Sequence, residues 1–263
     1  MYNFDFIKPA SVQDALAALA DGEAQPLSGG QTLLSTMKQR LNAPGSLVSL
    51  TGIADLKGVS GRAGASVTVG AATTHAEVAE QAGAFYPALA DLASRIGDPA
   101  VRNRGTIGGS MANNDPAACY PAAVLASNAT VHTTGGDIAA DDFFDGMFAT
   151  ALGEGQIITD VTFPIPEKAA YAKFLQPASR FSLTSAFVAK YPDGVRVAIT
   201  GASEGGVFRW SEAEAALSAN FSADALAGLT VPADGMIGDL HGTPAYRANL
   251  VAVMTRRAVA AAR

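Results

Sequence analysis

Residues 106–110 read Thr-Ile-Gly-Gly-Ser, and residues 28–32 read Ser-Gly-Gly-Gln-Thr. Each segment places a Gly-Gly pair among hydroxyl or amide side chains, and the earlier segment lies at the start of a helix predicted over residues 31–40. Glycine lets the backbone approach an anion closely, and successive main-chain amides form a concave set of donors. The free amides and positive dipole end of the predicted helix point to the same place. We call residues 28–32 the first glycine loop and residues 106–110 the second glycine loop.

The two glycine loops can bind a diphosphate without a lysine, and no basic residue lies between Pro26 and Met37. Plain turns remain the alternative, because the chain has 27 glycines and the Gly-Gly pair recurs at residues 135–136 and 205–206. Neither loop matches the Gly-x-Gly-x-x-Gly fingerprint or the Walker P-loop, so a Rossmann dinucleotide site is not indicated. On the diphosphate interpretation, Gly108→Val should abolish ligand binding with the fold retained, because the branched side chain would occupy the space of the diphosphate.

Hydrophobic periodicity and capping residues predict mixed helices and strands before residue 160. The first helix begins at Ser11 and ends at Asp21-Gly22, and residues 98–110 are interpreted as a loop because of their glycine and polar content. Further helices are predicted over residues 74–81 and 86–96 and from residue 120, with short strands over residues 47–50, 66–69 and 129–133.

The pattern changes near residue 160, where apolar or alternating runs separated by turns are typical of an antiparallel meander. We therefore place a boundary near residues 164–170 and divide the chain into residues 1–166 and 167–263. The predicted strands cover residues 157–164, 170–176, 184–191 and 195–201, and helices follow over residues 212–219, 223–227 and 243–262.

Composition restricts the class of protein. The chain has 263 residues, a net charge of −6 and a pI near 5.0, which argues against nucleic acid or an anionic membrane as its main partner. Cys119 is the only cysteine, so the chain alone holds no iron–sulfur cluster, thiolate zinc site or internal disulfide, in keeping with a cytoplasmic location. We find no signal peptide and no 18-residue apolar segment. The scattered histidines lack metal-ligand spacing, so we predict no metal site.

A resemblance to a known family follows from several segments that occur in this order along the chain. They are the two glycine loops, residues 70–75, 102–103 and 115–118, and the C-terminal segments 177–180, 246–247 and 256–258. Together they resemble the FAD-binding medium subunit of the molybdenum hydroxylases, the xanthine dehydrogenase and carbon monoxide dehydrogenase family. The resemblance covers the whole chain and is greatest to the separate medium subunits of carbon monoxide dehydrogenase-type enzymes.

The resemblance implies an α+β fold, with a vanillyl-alcohol-oxidase-type FAD-binding domain of two α+β subdomains followed by a smaller C-terminal domain of an antiparallel sheet with helices. FAD would lie extended between the domains, with the glycine loops around its diphosphate and ribityl region. The implied cofactor-binding residues are Ser28, Gly29, Gly30, Gln31, Thr32, Thr74, Ile96, Thr106, Ile107, Gly108, Gly109, Ser110, Asp115 and Ile158.

The resemblance also implies a role in electron transfer. The flavin would take electrons from a [2Fe–2S] small subunit and pass them to a quinone, NAD or oxygen, while a molybdenum-containing large subunit oxidises the substrate. The expected assembly is a dimer of heterotrimers without nucleic acid, and a peripheral membrane contact through the complex stays open. Because the flavin carries the chemistry, we name no catalytic residue in this chain. The substrate and the terminal acceptor are not readable from these residues.

The sequence leaves alternatives open for the roles of several residues and for the function. Many members of the family carry Asp where this chain has Cys119, so either another residue replaces that contact or Cys119 is a small buried apolar residue. His75 is either close to the flavin or a capping or surface residue. Arg102 and Arg104 either bond the diphosphate or pair with surface carboxylates. A stand-alone FAD oxidase or reductase, with Tyr120 or Tyr171 as a base, and a flavin-free binding module are the alternative functions.

Overall fold

The structure is a computed structural model that describes residues 1–20 and 22–263, so Asp21, predicted as part of a helix end, lies outside the described residues. The chain begins with a parallel three-stranded sheet in the order β1-β3-β2. Its strands are β1 (Asp5–Ile7), β2 (Ala24–Leu27) and β3 (Ser46–Ser49), with helices α1 (Val12–Leu19) and α2 (Leu33–Lys38) in the connections. Ser11 caps α1 as predicted, and Ala15 and Leu19 of that helix pack with Val48 in a small core.

A five-stranded antiparallel sheet in the order β4-β5-β8-β6-β7 follows. Alternate residues such as Val67, Val69, Val161 and Phe163 are fully buried against the helices. The strands are β4 (Val59–Arg62), β5 (Ser66–Gly70), β6 (Thr130–Thr133), β7 (Gly136–Ala139) and β8 (Ile158–Pro164). The helices are α3 (His75–Gln81), α4 (Pro87–Ser94), α5 (Pro99–Arg102), α6 (Ile107–Asn113), α7 (Tyr120–Ala126) and α8 (Ala140–Phe143).

Residues 98–110 differ from the predicted loop, because they contain α5 and the start of α6. Asp98 accepts a hydrogen bond from the Val101 amide with Pro99 at the first helical position, and Thr106 accepts one from the Gly109 amide. Both are ordinary helix starts, which the glycine content concealed. The Ile107 side chain is fully buried in the core of the five-stranded sheet, so this segment holds part of the core.

The C-terminal part is a four-stranded antiparallel sheet in the order β12-β11-β10-β9, covered by two helices. Its elements are β9 (Lys168–Leu175), β10 (Ser182–Tyr191), β11 (Gly194–Thr200), β12 (Phe208–Arg209), α9 (Ser211–Ala219) and α10 (Pro244–Ala261). Arg247 of α10 is 2% exposed and donates to the carbonyl oxygens of Leu183 and Gly201, both at 2.6 Å, and to Asp239 at 2.7 Å.

The architecture confirms the expected α+β fold. The N-terminal region has two sheets, each with helices, and the C-terminal region has one antiparallel sheet with helices. Strand β8 starts the predicted meander in sequence, yet it pairs with β5 and β6 in the five-stranded sheet. The chain passes from one sheet to the next between Pro164 and Lys168. The division into residues 1–166 and 167–263 stays a prediction.

Candidate functional site

A cavity of about 820 Å³ opens between the three-stranded and five-stranded sheets. All five residues of the first glycine loop line it, and the second loop contributes Thr106, Gly108, Gly109 and Ser110. Asp115 and Ile158 lie in the same lining, as predicted from the resemblance. Thr74, Ile96 and Ile107 do not lie in this lining. The structure therefore brings eleven of the fourteen predicted residues to one cavity: Ser28, Gly29, Gly30, Gln31, Thr32, Thr106, Gly108, Gly109, Ser110, Asp115 and Ile158.

The two glycine loops touch directly. The hydroxyl oxygens of Ser28 and Thr106 are 2.7 Å apart, which is a hydrogen bond in which either can donate. A Cβ on Gly29 would overlap the carbonyl oxygen of Arg104 and lie 2.6 Å from the Gly105 Cα. Glycine at position 29 is thus required by the close approach of one backbone to the other.

The first glycine loop presents a row of free main-chain donors. Among the described residues, none accepts a hydrogen bond from the amides of Gly29, Gly30, Gln31 or Thr32. Gly30 has φ +70°, a left-handed conformation that turns successive amides to one side. Helix α2 begins only at Leu33, so these amides lie ahead of its first turn. Such a row can bind an anion without a cationic side chain.

Four of the five amides of the second glycine loop donate hydrogen bonds inside the protein. The Ile107 amide donates to the Thr73 carbonyl at 3.2 Å, and the Gly108 amide donates to the Ala71 carbonyl at 2.9 Å. The Gly109 amide donates to the Thr106 hydroxyl at 3.2 Å, and the Ser110 amide donates to the Thr106 carbonyl at 3.0 Å. Only the Thr106 amide of the second loop has no acceptor among the described residues, so a diphosphate contact through the amides of this loop stays a prediction.

Gly108 has a different purpose from the one predicted. A Cβ there would lie 2.5 Å from the Ala71 Cβ and 2.8 Å from the Ala71 carbonyl oxygen. The missing side chain lets α6 pack against the end of β5, which places Thr106 at the cavity. A valine at position 108 would collide with the protein itself, so retention of the fold in that variant is no longer expected.

Thr74 connects the second glycine loop to helix α3. It forms an isolated bridge with Thr106, and its hydroxyl accepts from the Glu77 amide at 3.3 Å in a capping box. Burial would raise the pKa of Glu77, but hydrogen bonds from Thr74 outweigh it and hold that pKa below its usual value. Thr74 therefore joins the start of α3 to the start of α6, although it does not line the cavity itself.

His75, the next residue, lines the cavity and is 5% exposed. Its Nδ1 atom is buried without a hydrogen-bond partner, and its ring centre lies 5.4 Å from that of Tyr120. Burial and the nearby charge of Arg102 lower the pKa of His75 from 6.5 to about 4, so the imidazole is neutral near pH 7. The alternative that His75 is a surface residue is wrong, because the side chain is buried.

The described lining of the cavity contains no lysine or arginine. Arg102 donates from one nitrogen to the carbonyl oxygens of Ile96 and Gly97, both at 3.0 Å, and neither Arg102 nor Arg104 lies in the lining. The carboxylate of Asp115 accepts from the Ala117 amide at 2.8 Å, which fixes its orientation. Attraction of an anion by this lining therefore depends on main-chain dipoles.

Cys119 makes a polar contact with Lys173 of β9, the edge strand of the C-terminal sheet. The ammonium of Lys173 donates to its Sγ atom at 3.3 Å and to the Arg95 carbonyl at 2.9 Å. Cys119 is 4% exposed, as expected of a small buried residue, and it does not lie in the lining of the cavity. The contact with Lys173 was not predicted, because it joins residues that are 54 positions apart.

Sequence reasoning missed the apolar wall of the cavity. It also missed the one lining residue that comes from the C-terminal part, Phe181. Leu27, Leu50, Leu56 and Ile157 lie in the wall, where their sequence pattern is that of ordinary core residues. Phe181, directly before β10, also reaches the lining. Only the resemblance around residues 177–180 pointed to that neighbourhood.

An elongated nucleotide fits these features: a row of anion-binding amides, an apolar wall and a volume in the range of cofactor pockets. The fold and the cavity therefore define a protein of the FAD-binding class. Residues 2–166 match the family described as FAD binding domain in molybdopterin dehydrogenase, and the chain belongs to this family. It is thus an FAD-binding component of an oxidoreductase.

Whole-chain relatives agree with this assignment. The carbon monoxide dehydrogenase medium chain of Afipia carboxidovorans is 33% identical, covering 98% of this chain and 96% of the relative. The nicotine 6-hydroxylase medium subunit of Paenarthrobacter nicotinovorans is 32% identical, covering 97% and 95%. A solved structure of quinoline 2-oxidoreductase from Pseudomonas putida 86 superposes with a TM-score of 0.88 at 27% identity, covering 99% of this chain and 96% of that one.

No group of three or more His, Cys, Asp or Glu side chains among the described residues is arranged to hold a metal ion. None of the helices in the described part of the chain combines the length and apolar character needed to cross a bilayer.

Proposed function

We propose that this chain is the FAD-containing electron-transfer subunit of a molybdenum hydroxylase, receiving electrons from a [2Fe–2S] subunit and passing them to an external acceptor. Its partners would be a molybdenum-containing large subunit and an iron–sulfur small subunit. The relatives named above are medium subunits or chains of such enzymes, and each matches this chain over nearly its full length. A cytoplasmic location and the dimer of heterotrimers stay predictions.

The observation that carries the proposal is the junction of the two glycine loops at one cavity. The Ser28–Thr106 hydrogen bond holds the loops together, and the amides of Gly29 to Thr32 have no acceptor among the described residues. When bound, FAD would supply the redox chemistry that links one-electron and two-electron carriers. The first glycine loop would hold its diphosphate, and the apolar wall would exclude water from its rings.

A stand-alone oxidase is the weaker alternative. Such an enzyme needs a base within reach of the substrate, and neither Tyr120 nor Tyr171 lies in the cavity lining. Burial raises the pKa of both hydroxyl groups well above 10, with a further contribution from Cys119. Neither phenol is therefore suited to remove a proton near neutral pH.

The test is purification of the full chain from cells that contain its natural partners. We expect a yellow complex absorbing at about 450 nm, which is typical of oxidised flavin, with bound FAD, two further chains, and iron and molybdenum in metal analysis. Turnover of a small substrate by this chain alone, with FAD but without iron or molybdenum, would instead establish the stand-alone oxidase. A colourless chain that does not bind added FAD would exclude both.

A further inference from the structure

We propose that His75 is a binding residue for FAD and that it takes up a proton when FAD binds, so that FAD affinity increases as the pH falls. The inference rests on the proposed function, since it concerns the same cavity. It adds a side chain that can become cationic to a lining that has no lysine or arginine. None of the fourteen residues implied by the family resemblance is a histidine.

The first argument is position. His75 lines the cavity together with Gly105 and Thr106, and its own amide donates to the Gly105 carbonyl at 2.9 Å. A Cβ on Gly105 would lie 2.5 Å from the Nε2 atom of His75, so glycine at that position makes room for the imidazole. The ring is therefore held beside the backbone that leads into the second glycine loop.

The second argument is an unused bonding capacity. Neither ring nitrogen of His75 has a hydrogen-bond partner among the described residues, and since Nδ1 is fully buried, Nε2 is the nitrogen that stays accessible. Polar groups inside native proteins are nearly always hydrogen-bonded. Because His75 is 5% exposed and lines the cavity, we expect Nε2 to find its partner in the ligand.

The third argument is charge. A diphosphate brings about two negative charges, which favour charge-assisted hydrogen bonds, into a lining that has no lysine or arginine and includes the carboxylate of Asp115. Without FAD, burial and Arg102 keep the imidazole neutral. Phosphate charge acts in the opposite direction and favours the imidazolium. His75 is the residue of the described lining that can gain a positive charge.

The other titratable groups around His75 are accounted for. On α3, the Glu77 carboxylate accepts a hydrogen bond from the Thr74 amide, and Glu80 lies further along the helix. On α4, Asp91 forms an ion pair with Arg95 at 3.0 Å. Arg102 on α5 donates to carbonyl oxygens, and α7 contributes the neutral Tyr120 beside Cys119. The unpartnered Tyr120 hydroxyl suggests the competing explanation, a buried water shared with His75. That arrangement would give no dependence of FAD affinity on pH.

The experiment is a titration of the full-length, FAD-stripped chain with FAD, followed by flavin fluorescence at pH 5.5 and 8.0. Calorimetry at pH 5.5 in acetate and in MES, two buffers with different enthalpies of ionisation, then gives the protons taken up. We expect binding about tenfold tighter at pH 5.5, which corresponds to bound FAD restoring the His75 pKa to its ordinary 6.5. His75→Gln keeps a donor but does not titrate, so its affinity should not change between the two pH values. His132→Gln is the matched control, because His132 lies on β6 outside the lining and should leave the pH dependence intact.

The outcomes are distinct. If the wild-type chain binds FAD equally at both pH values, or if His75→Gln retains the wild-type pH dependence, the inference about His75 is overturned while the FAD site stands. If the wild-type chain does not bind FAD at either pH, the proposed function itself fails. Net proton uptake that disappears only in His75→Gln supports the inference, because a purely structural histidine would not produce it.

Discussion

The hydroxyl oxygens of Ser28 and Thr106 form a hydrogen bond of 2.7 Å across 78 positions of sequence. Ser28 follows β2 of the three-stranded sheet, and Thr106 caps α6 beside the five-stranded sheet. This bond joins two residues of the cavity lining that come from different sheet regions, so the geometry of the site depends on how the two sheets are held together.

Thr106→Val should weaken both the fold and the site. The hydroxyl caps α6 through the Gly109 amide, and loss of a cap costs about 1 kcal/mol. We expect a lower free energy of unfolding in urea and weaker FAD binding by fluorescence titration. Thr106→Ser keeps the hydroxyl and should stay close to wild type in both measurements. Wild-type FAD affinity in Thr106→Val would show that the loop junction does not shape the site.

Gly29→Ala should separate the two glycine loops. The added Cβ overlaps the Arg104 carbonyl, which is backbone and has little freedom to move. Overpacking of this kind costs about 1–3 kcal/mol, so FAD affinity should fall tenfold or more. Gly205→Ala is the matched control, because its Cβ would lie 3.4 Å from the Ser203 hydroxyl, an ordinary contact. Equal FAD affinity in both variants would contradict the assignment of the first glycine loop.

Gly108→Val should destabilise the protein and not only the FAD site. Its side chain would meet Ala71 within 3 Å on both the Cβ and the carbonyl oxygen. We expect a lower melting temperature in circular dichroism for the FAD-free chain, since no ligand is needed for that collision. Gly109→Ala adds a Cβ that lies 3.0 Å from the Thr106 hydroxyl, a milder contact, and should melt closer to wild type. A Gly108→Val chain with the wild-type melting temperature would restore the simpler view that this glycine serves only the ligand.

His75 should make the FAD-free chain less stable in mild acid. Its folded-state pKa, lowered by burial to about 4, lies below the ordinary 6.5, so the unfolded state binds the proton first as the pH falls. Stability should therefore decline between about pH 6.5 and 4, by about 1.4 kcal/mol per unit at most and about 3 kcal/mol in all. The measurement is the difference in the free energy of unfolding between wild type and His75→Gln, obtained from urea titrations at several pH values between 6.5 and 4. A constant difference would mean that His75 titrates normally.

Asp239→Asn should destabilise the C-terminal sheet by about 2 kcal/mol, the typical value of a hydrogen bond to a charged group. Arg247 is almost fully buried, and Asp239 is its carboxylate partner at 2.7 Å. Burial acts to raise the Asp239 pKa, but the bond from Arg247 outweighs it and lowers that pKa, so this contribution should be lost as the pH falls below the ordinary 3.8. Urea unfolding of the variant at pH 7 and pH 3 tests both statements, and a variant as stable as wild type at pH 7 would refute them.

Local chemistry in the sequence was sufficient for most helix starts and strands. Ser11 and Thr74 cap the helices they were expected to cap, because a cap depends on neighbours three residues away, and the last helix begins after Thr243, close to its predicted start. The same reasoning failed for residues 98–110, because glycines there serve close contacts: Gly108 with Ala71 and Gly105 with the His75 ring. The Gly-Gly pairs identified both glycine loops, the family resemblance related them to FAD, and both loops line one cavity in the structure.

The sequence by itself determined the two glycine loops and most helices and strands, because these depend on neighbouring residues, and its resemblance to a known family gave the α+β class and FAD as the expected cofactor. Only the tertiary structure decided which amides are free. The amides of Gly29 to Thr32 in the first glycine loop have no acceptor among the described residues, whereas Ile107 and Gly108 of the second loop use theirs to attach α6 to residues 71–73. Likewise, His75 is an ordinary residue in the sequence, and it becomes a buried, unpartnered imidazole only where α3, α5 and α7 meet. Both outcomes depend on contacts between distant segments, whose geometry is fixed by packing and not by neighbours in the chain.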